Sequence, residues 1–226
     1  MPLHTDRQYE EEPQQLRAKV LEMGGLVEKQ IGDAVTSLTE RNSELAQETI
    51  ERDHMVNYLD VDIDETGVRL LALHQPAARD LRFIMTSMKI STDLERIGDI
   101  AQNVCERALE LNEEPPPRYV DIPRMADWAR SMLRDSLDAF VREDTELALQ
   151  VCQRDDFIDD LTAQLFKQML ARMAQEPETV ARSTRILFLA KYLERIADHA
   201  TNIGEMVIYM AKGKSIRHVS PLPSSV

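Results

Sequence analysis

Leu94-Glu95-Arg96-Ile97-Gly98-Asp99-Ile100-Ala101-Gln102-Asn103 returns 99 residues later as Leu193-Glu194-Arg195-Ile196-Ala197-Asp198-His199-Ala200-Thr201-Asn202. Leu, Glu, Arg, Ile, Asp, Ala and Asn hold their places, and downstream Glu106 meets Glu205. A helical core needs only an apolar period of 3 to 4 residues, so packing alone does not keep polar residues in register. A carboxylate at i, another at i+4 and an amide at i+8 form a polar stripe on one helix face. Two copies of the stripe point to two related sites.

The duplication extends beyond the motif. An offset of 102 lays Asp33 on Asp135, Glu44-Leu45-Ala46 on Glu146-Leu147-Ala148, and Arg52-Asp53 on Arg154-Asp155. The expectation is an all-α chain of two tandem, pseudo-symmetric three-helix bundles, six long helices in all. The boundaries fall at 1–112 for the first unit, 113–121 for a linker, 122–213 for the second unit and 214–226 for a flexible tail. The linker is set by Pro115-Pro116-Pro117, because consecutive prolines cannot sit inside a helix.

Local signals agree with this division. Leu16, Val20, Met23, Val27, Ile31 and Val35 keep helical steps. Gly24-Gly25 is a weak point in that helix and a candidate kink. Asn42 and the aligned Asp144 suit N-caps of each second helix. Pro76 and Pro177 suit the first turn of each third helix. Short connections make neighbouring helices antiparallel.

Composition narrows the function. Charged residues make up 30% of the 226, glycine and aromatics are scarce, and the net charge is −13. That balance opposes a nucleic-acid phosphate surface, which needs a basic patch. No signal-peptide pattern and no apolar run of about 18 residues occur, so membrane insertion is not expected. Cys105 and Cys152 read as reduced, buried residues of a cytoplasmic protein.

The third helix of each unit carries its acidic stripe opposite its apolar one. The second helices add Asp53, Asn57, Asp60 and Asp64 in the first unit, and Asp155, Asp156, Asp159 and Asp160 in the other. If these faces meet, crowded carboxylates raise one another's pKa, and a multivalent cation relieves the repulsion. Oxygen ligands suit magnesium, manganese, calcium or iron, with zinc also open. A solvated or partner-docking acidic face is the alternative. Glu51-x-x-His54 resembles one half of a diiron motif, but Gln153 and Asp156 stand at the aligned positions. No phosphate-binding loop or nucleophile elbow is present, so no enzyme is expected; a carboxylate-bundle metalloenzyme or an inert scaffold are the rival readings.

The paired motifs, Leu94 to Asp99 and Leu193 to Asp198, resemble the E/D-x-x-x-D signature of the PhoU family, regulators of bacterial phosphate uptake. The resemblance covers nearly the whole chain. It implies a cytoplasmic homodimer that couples a phosphate ABC transporter, through its ATPase subunit, to a sensor histidine kinase. Such a protein restrains the phosphate-starvation response when phosphate is plentiful. Family members bind iron or zinc clusters in some cases and no metal in others. Carried over, Glu95, Asp99, Glu194 and Asp198 are the first candidate ligands of iron, zinc, manganese or magnesium. Asp53, Asn57, Asp155 and Asp159 are the second-helix candidates. Ala197 in place of Gly98 is expected to be harmless, and His199 to add a nitrogen ligand or nothing.

Overall fold

The structure, a computed structural model, describes residues 5–114 and 121–216. The chain runs α1 (Thr5–Thr39), α2 (Ser43–Arg52), α3 (His54–His74), α4 (Ala78–Asn112), α5 (Asp121–Arg142), α6 (Thr145–Gln153), α7 (Asp155–Gln175) and α8 (Val180–Lys212). No strand occurs among the described residues, and no helix there is long and apolar enough to cross a membrane.

These helices form six rods. The second rod of each half was expected as one helix and is interrupted at a single residue, giving α2–α3 and α6–α7. Asp53 and Arg154, the residues at the breaks, keep right-handed helical angles (φ −60°, ψ −28° and φ −84°, ψ −9°). Each backbone N–H there turns to the carbonyl three residues back, Ile50 and Val151. The helix tightens at that point without losing its apolar period: Val56, Leu59 and Ile63 are buried after one break, Ile158, Leu161 and Leu165 after the other.

The capping expectations hold. Asn42 Oδ1 accepts from the Leu45 N–H at 3.0 Å, and Asp144 Oδ1 accepts from Glu146 and Leu147, both at 3.0 Å. Each satisfies N–H groups that a helix start leaves unpaired. Pro177 opens a 3-10 turn that leads into α8, whereas Pro76 lies just before α4. Gly24 does not end α1. A Cβ there would stand 2.4 Å from Leu137 Cδ1, so the glycine lets α5 approach α1 closely.

Asp33 and Arg52 were aligned by offset with Asp135 and Arg154, and both pairs are ion pairs. Arg52 Nη1 lies 3.1 Å from Asp33 Oδ2, and Arg154 pairs with Asp135 in the same way. Each ties the first rod to the residue at or beside the break in the second.

The halves join along a seam in which α1 packs on α4 and α5, and α8 packs on α5 and α4. Phe83 of α4 stacks on Phe140 of α5 with centroids 5.9 Å apart, and the Arg17 guanidinium of α1 lies over both rings. Polar ties lie at the rim. Arg182 and Arg185 of α8 reach Glu110 and Glu114 at 2.7 Å, and His199 Nδ1 lies 2.7 Å from Asp93 Oδ1. The rods α3 and α7 flank opposite halves, on α4 and α8 respectively, and do not meet. Most of the proposed linker and tail lies outside the described residues; Glu114 is held by the arginines above, and Ile216 is buried.

Candidate functional site

The first acidic site forms where α3 starts beside the middle of α4. Asp53 is 2% exposed, although it is a carboxylate. It is satisfied by two amides: Gln30 Nε2 donates at 3.2 Å and Asn57 Nδ2 at 3.0 Å. Gly98 on α4 makes the room. A Cβ there would lie 3.0 Å from Asp53 Oδ1 and 3.3 Å from Gln30 Oε1. Burial pushes the Asp53 carboxyl above its ordinary range and the charge of Asp99 adds to this, while the two amides oppose it. Glu95 is raised as well, first by burial, then by Asp99, Asp60 and Asp53, with Arg96 only partly offsetting them. Asp60 Oδ1 and Gln30 Oε1 are buried without a hydrogen-bond partner.

The second site repeats the plan on α7 and α8. Asp155 is pushed up to about 6, mainly by burial and then by Asp198 and Asp159, against a hydrogen bond donated by Thr201 Oγ1 at 3.2 Å. Asp159 and Asp198 are both raised by burial first and Glu194 second. Lys191 pairs with Glu194 and, with His199, partly neutralises the stripe. Gln30 corresponds by offset to Met132 and Gly98 to Ala197, both fully buried.

The structure places each set of sequence candidates side by side. Asp53, Glu95 and Asp99 act on one another, with Asn57 bonded to Asp53. Asp155, Asp159, Glu194 and Asp198 do likewise. Other stripe members turn away. Asn103 Nδ2 donates to the Asp99 carbonyl at 2.8 Å, and Glu106 leans on Arg107. His199 directs Nδ1 to Asp93, and His54 directs its own to the Glu51 carbonyl at 2.6 Å; the half diiron motif has no counterpart in the second half, where Gln153 and Asp156 stand. Gln30, Thr201, Lys191 and Asp93 escaped the sequence reading. Gln30 alone had a visible signal, a lone amide beside the apolar stripe of α1.

The donor chemistry suits a hard or borderline cation: carboxylates crowded enough to be raised, with a buried unpaired oxygen on Asp60 beside them. Convergence is weaker. Among the described residues no three His, Cys, Asp or Glu side chains are arranged to hold one ion. Cys105 and Cys152 contribute nothing, since burial pushes both thiols up to about 12.

This duplicated geometry has relatives. The model of the PhoU domain matches twice, at residues 20–108 and 122–207, one match per half. The chain belongs to the PhoU family. Among PhoU proteins, the phosphate-specific transport system accessory protein PhoU homolog of Pseudomonas putida is 44% identical over 96% of this chain and 85% of its own length. The accessory protein PhoU of Escherichia coli K12 is 37% identical over 96% of this chain and 90% of its own. The crystal structure of PhoU from Pseudomonas aeruginosa superposes with a TM-score of 0.88 at 42% identity, covering 91% of this chain and all of that one. The phosphate transport system regulatory protein PhoU from Streptococcus pneumoniae gives 0.86 at 31% identity, over 92% and 98%.

Proposed function

We propose that this protein is a non-catalytic accessory regulator of phosphate transport. The observation that carries the reading is the match of both PhoU repeats, with relatives bearing the accessory-protein name along 96% of the chain. In the finer form of the proposal it is a cytoplasmic homodimer. It links the ATPase subunit of a phosphate ABC transporter to a sensor histidine kinase and restrains the starvation response when phosphate is plentiful. Deleting the gene is expected to raise expression of phosphate-scavenging functions in phosphate-rich medium. Expression that stays at the parental level would overturn the regulatory part.

The two acidic sites enter the proposal as cation sites. Glu95, Asp99, Asp53 and Asn57 would hold one ion or cluster, and Glu194, Asp198, Asp155 and Asp159 the other, once side chains that do not converge on one point here close around it, with water completing the shell. A multivalent cation would supply charge that relieves the carboxylate repulsion. Added Mg2+, Mn2+, Zn2+ or iron is then expected to raise the melting temperature by mass action on the folded state. Glu95→Gln with Asp99→Asn should lose part of that gain and keep the part due to the second half. A parental melting temperature indifferent to all four metals would remove the cation from the proposal and leave the acidic faces for docking.

A further inference from the structure

The outer face of α7 and α8 carries an apolar furrow that the other described residues leave open. Phe166 and Phe188 are 49% and 50% exposed, with Leu170 and Val180 nearly as open. The furrow between the two helices has a volume of about 330 Å3 and is lined by Thr162, Phe166, Thr184, Leu187, Phe188 and Lys191. At one end it opens into a second depression of about 430 Å3, where Asp159, Lys191 and Glu194 stand. The duplication supplies an internal control. By offset, Thr162, Phe166 and Phe188 correspond to Asp60, Asp64 and Lys89 in the first half. Packing the rods therefore does not require aromatic residues at these three positions, although Thr184 and Leu187 correspond to Met85 and Met88, so the first half is apolar on part of the same face. An exposed apolar patch rimmed by polar groups marks an interaction surface.

We propose that this furrow receives an amphipathic helix of a partner protein, with apolar side chains seated on Phe166 and Phe188 and a Lys or Arg directed at Asp159 and Glu194. Shape and charge together select this occupant. A furrow between two side-by-side antiparallel rods accepts the ridge of a third helix. The stretch from Val180 to Glu194 along α8 is about 21 Å, the length of a helix of about 14 residues. At the acidic end four carboxylates gather, Asp155, Asp159, Glu194 and Asp198, against two lysines, Lys167 and Lys191, of which Lys191 is already paired with Glu194, so the end keeps an excess of negative charge. A basic side chain is the complement of that end. A second copy seated furrow to furrow fits poorly, since two concave surfaces with acidic ends do not fill each other.

The proposal deepens the adaptor reading and rests on it only for the existence of a partner in the cell. The test is therefore made in vitro, in EDTA so that no cation occupies the acidic site. Two fluorescein-labelled 15-residue helical peptides serve as probes. Both carry Leu and Phe at i, i+3, i+4 and i+7. One has Arg at both ends, the other Glu. Fluorescence anisotropy is expected to show the Arg-ended peptide binding at least about tenfold more tightly than the Glu-ended one. Phe166→Ala with Phe188→Ala should weaken it at least about tenfold with the melting temperature unchanged. Equal binding of the two peptides, or equal binding by parent and variant, would overturn the proposal. So would a shift from dimer to monomer in the double variant by sedimentation, since the furrow would then be covered by a second copy. A gene deletion without phosphate phenotype would remove the adaptor reading and leave these binding results standing.

Discussion

Phe140→Ala is expected to lower the free energy of unfolding by about 3–5 kcal/mol, the range for removing a fully buried aromatic ring. Phe140 is 0% exposed and stacks on Phe83 of the other half. The Arg17 guanidinium lies 5.0 Å from the Phe83 centroid and 5.7 Å from that of Phe140. That guanidinium also donates to the Val141 carbonyl at 2.9 Å and pairs with Glu143 at 3.4 Å. Truncating the ring leaves a void beside a positive charge that is held in place by other bonds, so collapse into the void is restricted. Because the pair joins α4 to α5, the loss falls on the contact between halves. Denaturant melts followed by far-UV circular dichroism would measure it. Phe188→Ala, which removes the same atoms from a half-exposed ring, is expected to cost less than about 1 kcal/mol. Equal losses in the two variants would mean that the aromatic pair does not hold the halves together.

The sequence exposed the rods and the acidic faces but not their depth. Asp33, Asp135, Arg52 and Arg154 stood out because the offset retained both charges, and both pairs turned out to be bonded. Asn42 and Asp144 were legible for the same reason, since a cap acts on N–H groups two or three positions away on its own chain. The breaks at Asp53 and Arg154 were not legible. Helical φ and ψ continue through them, so the apolar period carries no trace of the missing hydrogen bond.

Depth is a tertiary property. A helical wheel places Asp53 on the face toward Glu95 and Asp99, yet its burial depends on Gln30 from another rod and on the lack of a side chain at Gly98. The retained motif also concealed a difference. Leu-Glu-Arg-Ile-x-Asp reads alike in both halves, but Gln30 faces one buried aspartate while Met132 takes the corresponding position in the other. The residues that set the two sites apart thus lie on α1 and α5 and at an unmatched position within the repeat, where Thr201 stands opposite Gln102.

That difference falls hardest on Asp155, and Asp155→Asn is expected to stabilise the protein at pH 7.5. The folded-state carboxyl sits at about 6 against an ordinary value of 3.8. The folded chain therefore binds this proton more tightly than the unfolded chain. As pH rises from about 4 to about 6, stability contributed by this residue falls, and above 6 the penalty is constant. Two pH units correspond to about 3 kcal/mol, and solvent relaxation around a partly exposed group brings the expectation to about 2 kcal/mol. In a chain of this size that is a rise of roughly 4–8 °C in melting temperature. Asn keeps an oxygen for the Thr201 hydroxyl and removes the charge that Asp159 and Asp198 oppose. The advantage should shrink as pH falls through 6 and vanish near 4, where the parent is protonated in both states. Thermal melts of parent and variant across pH 4 to 8 would test this, and an advantage independent of pH would refute the electrostatic origin. A cation bound beside Asp155 offsets the same repulsion in the parent. Metal should then raise the parent's melting temperature more than the variant's and narrow the gap at pH 7.5. A gap left intact by metal would place any cation away from Asp155 and confine the second half's acidic face to docking.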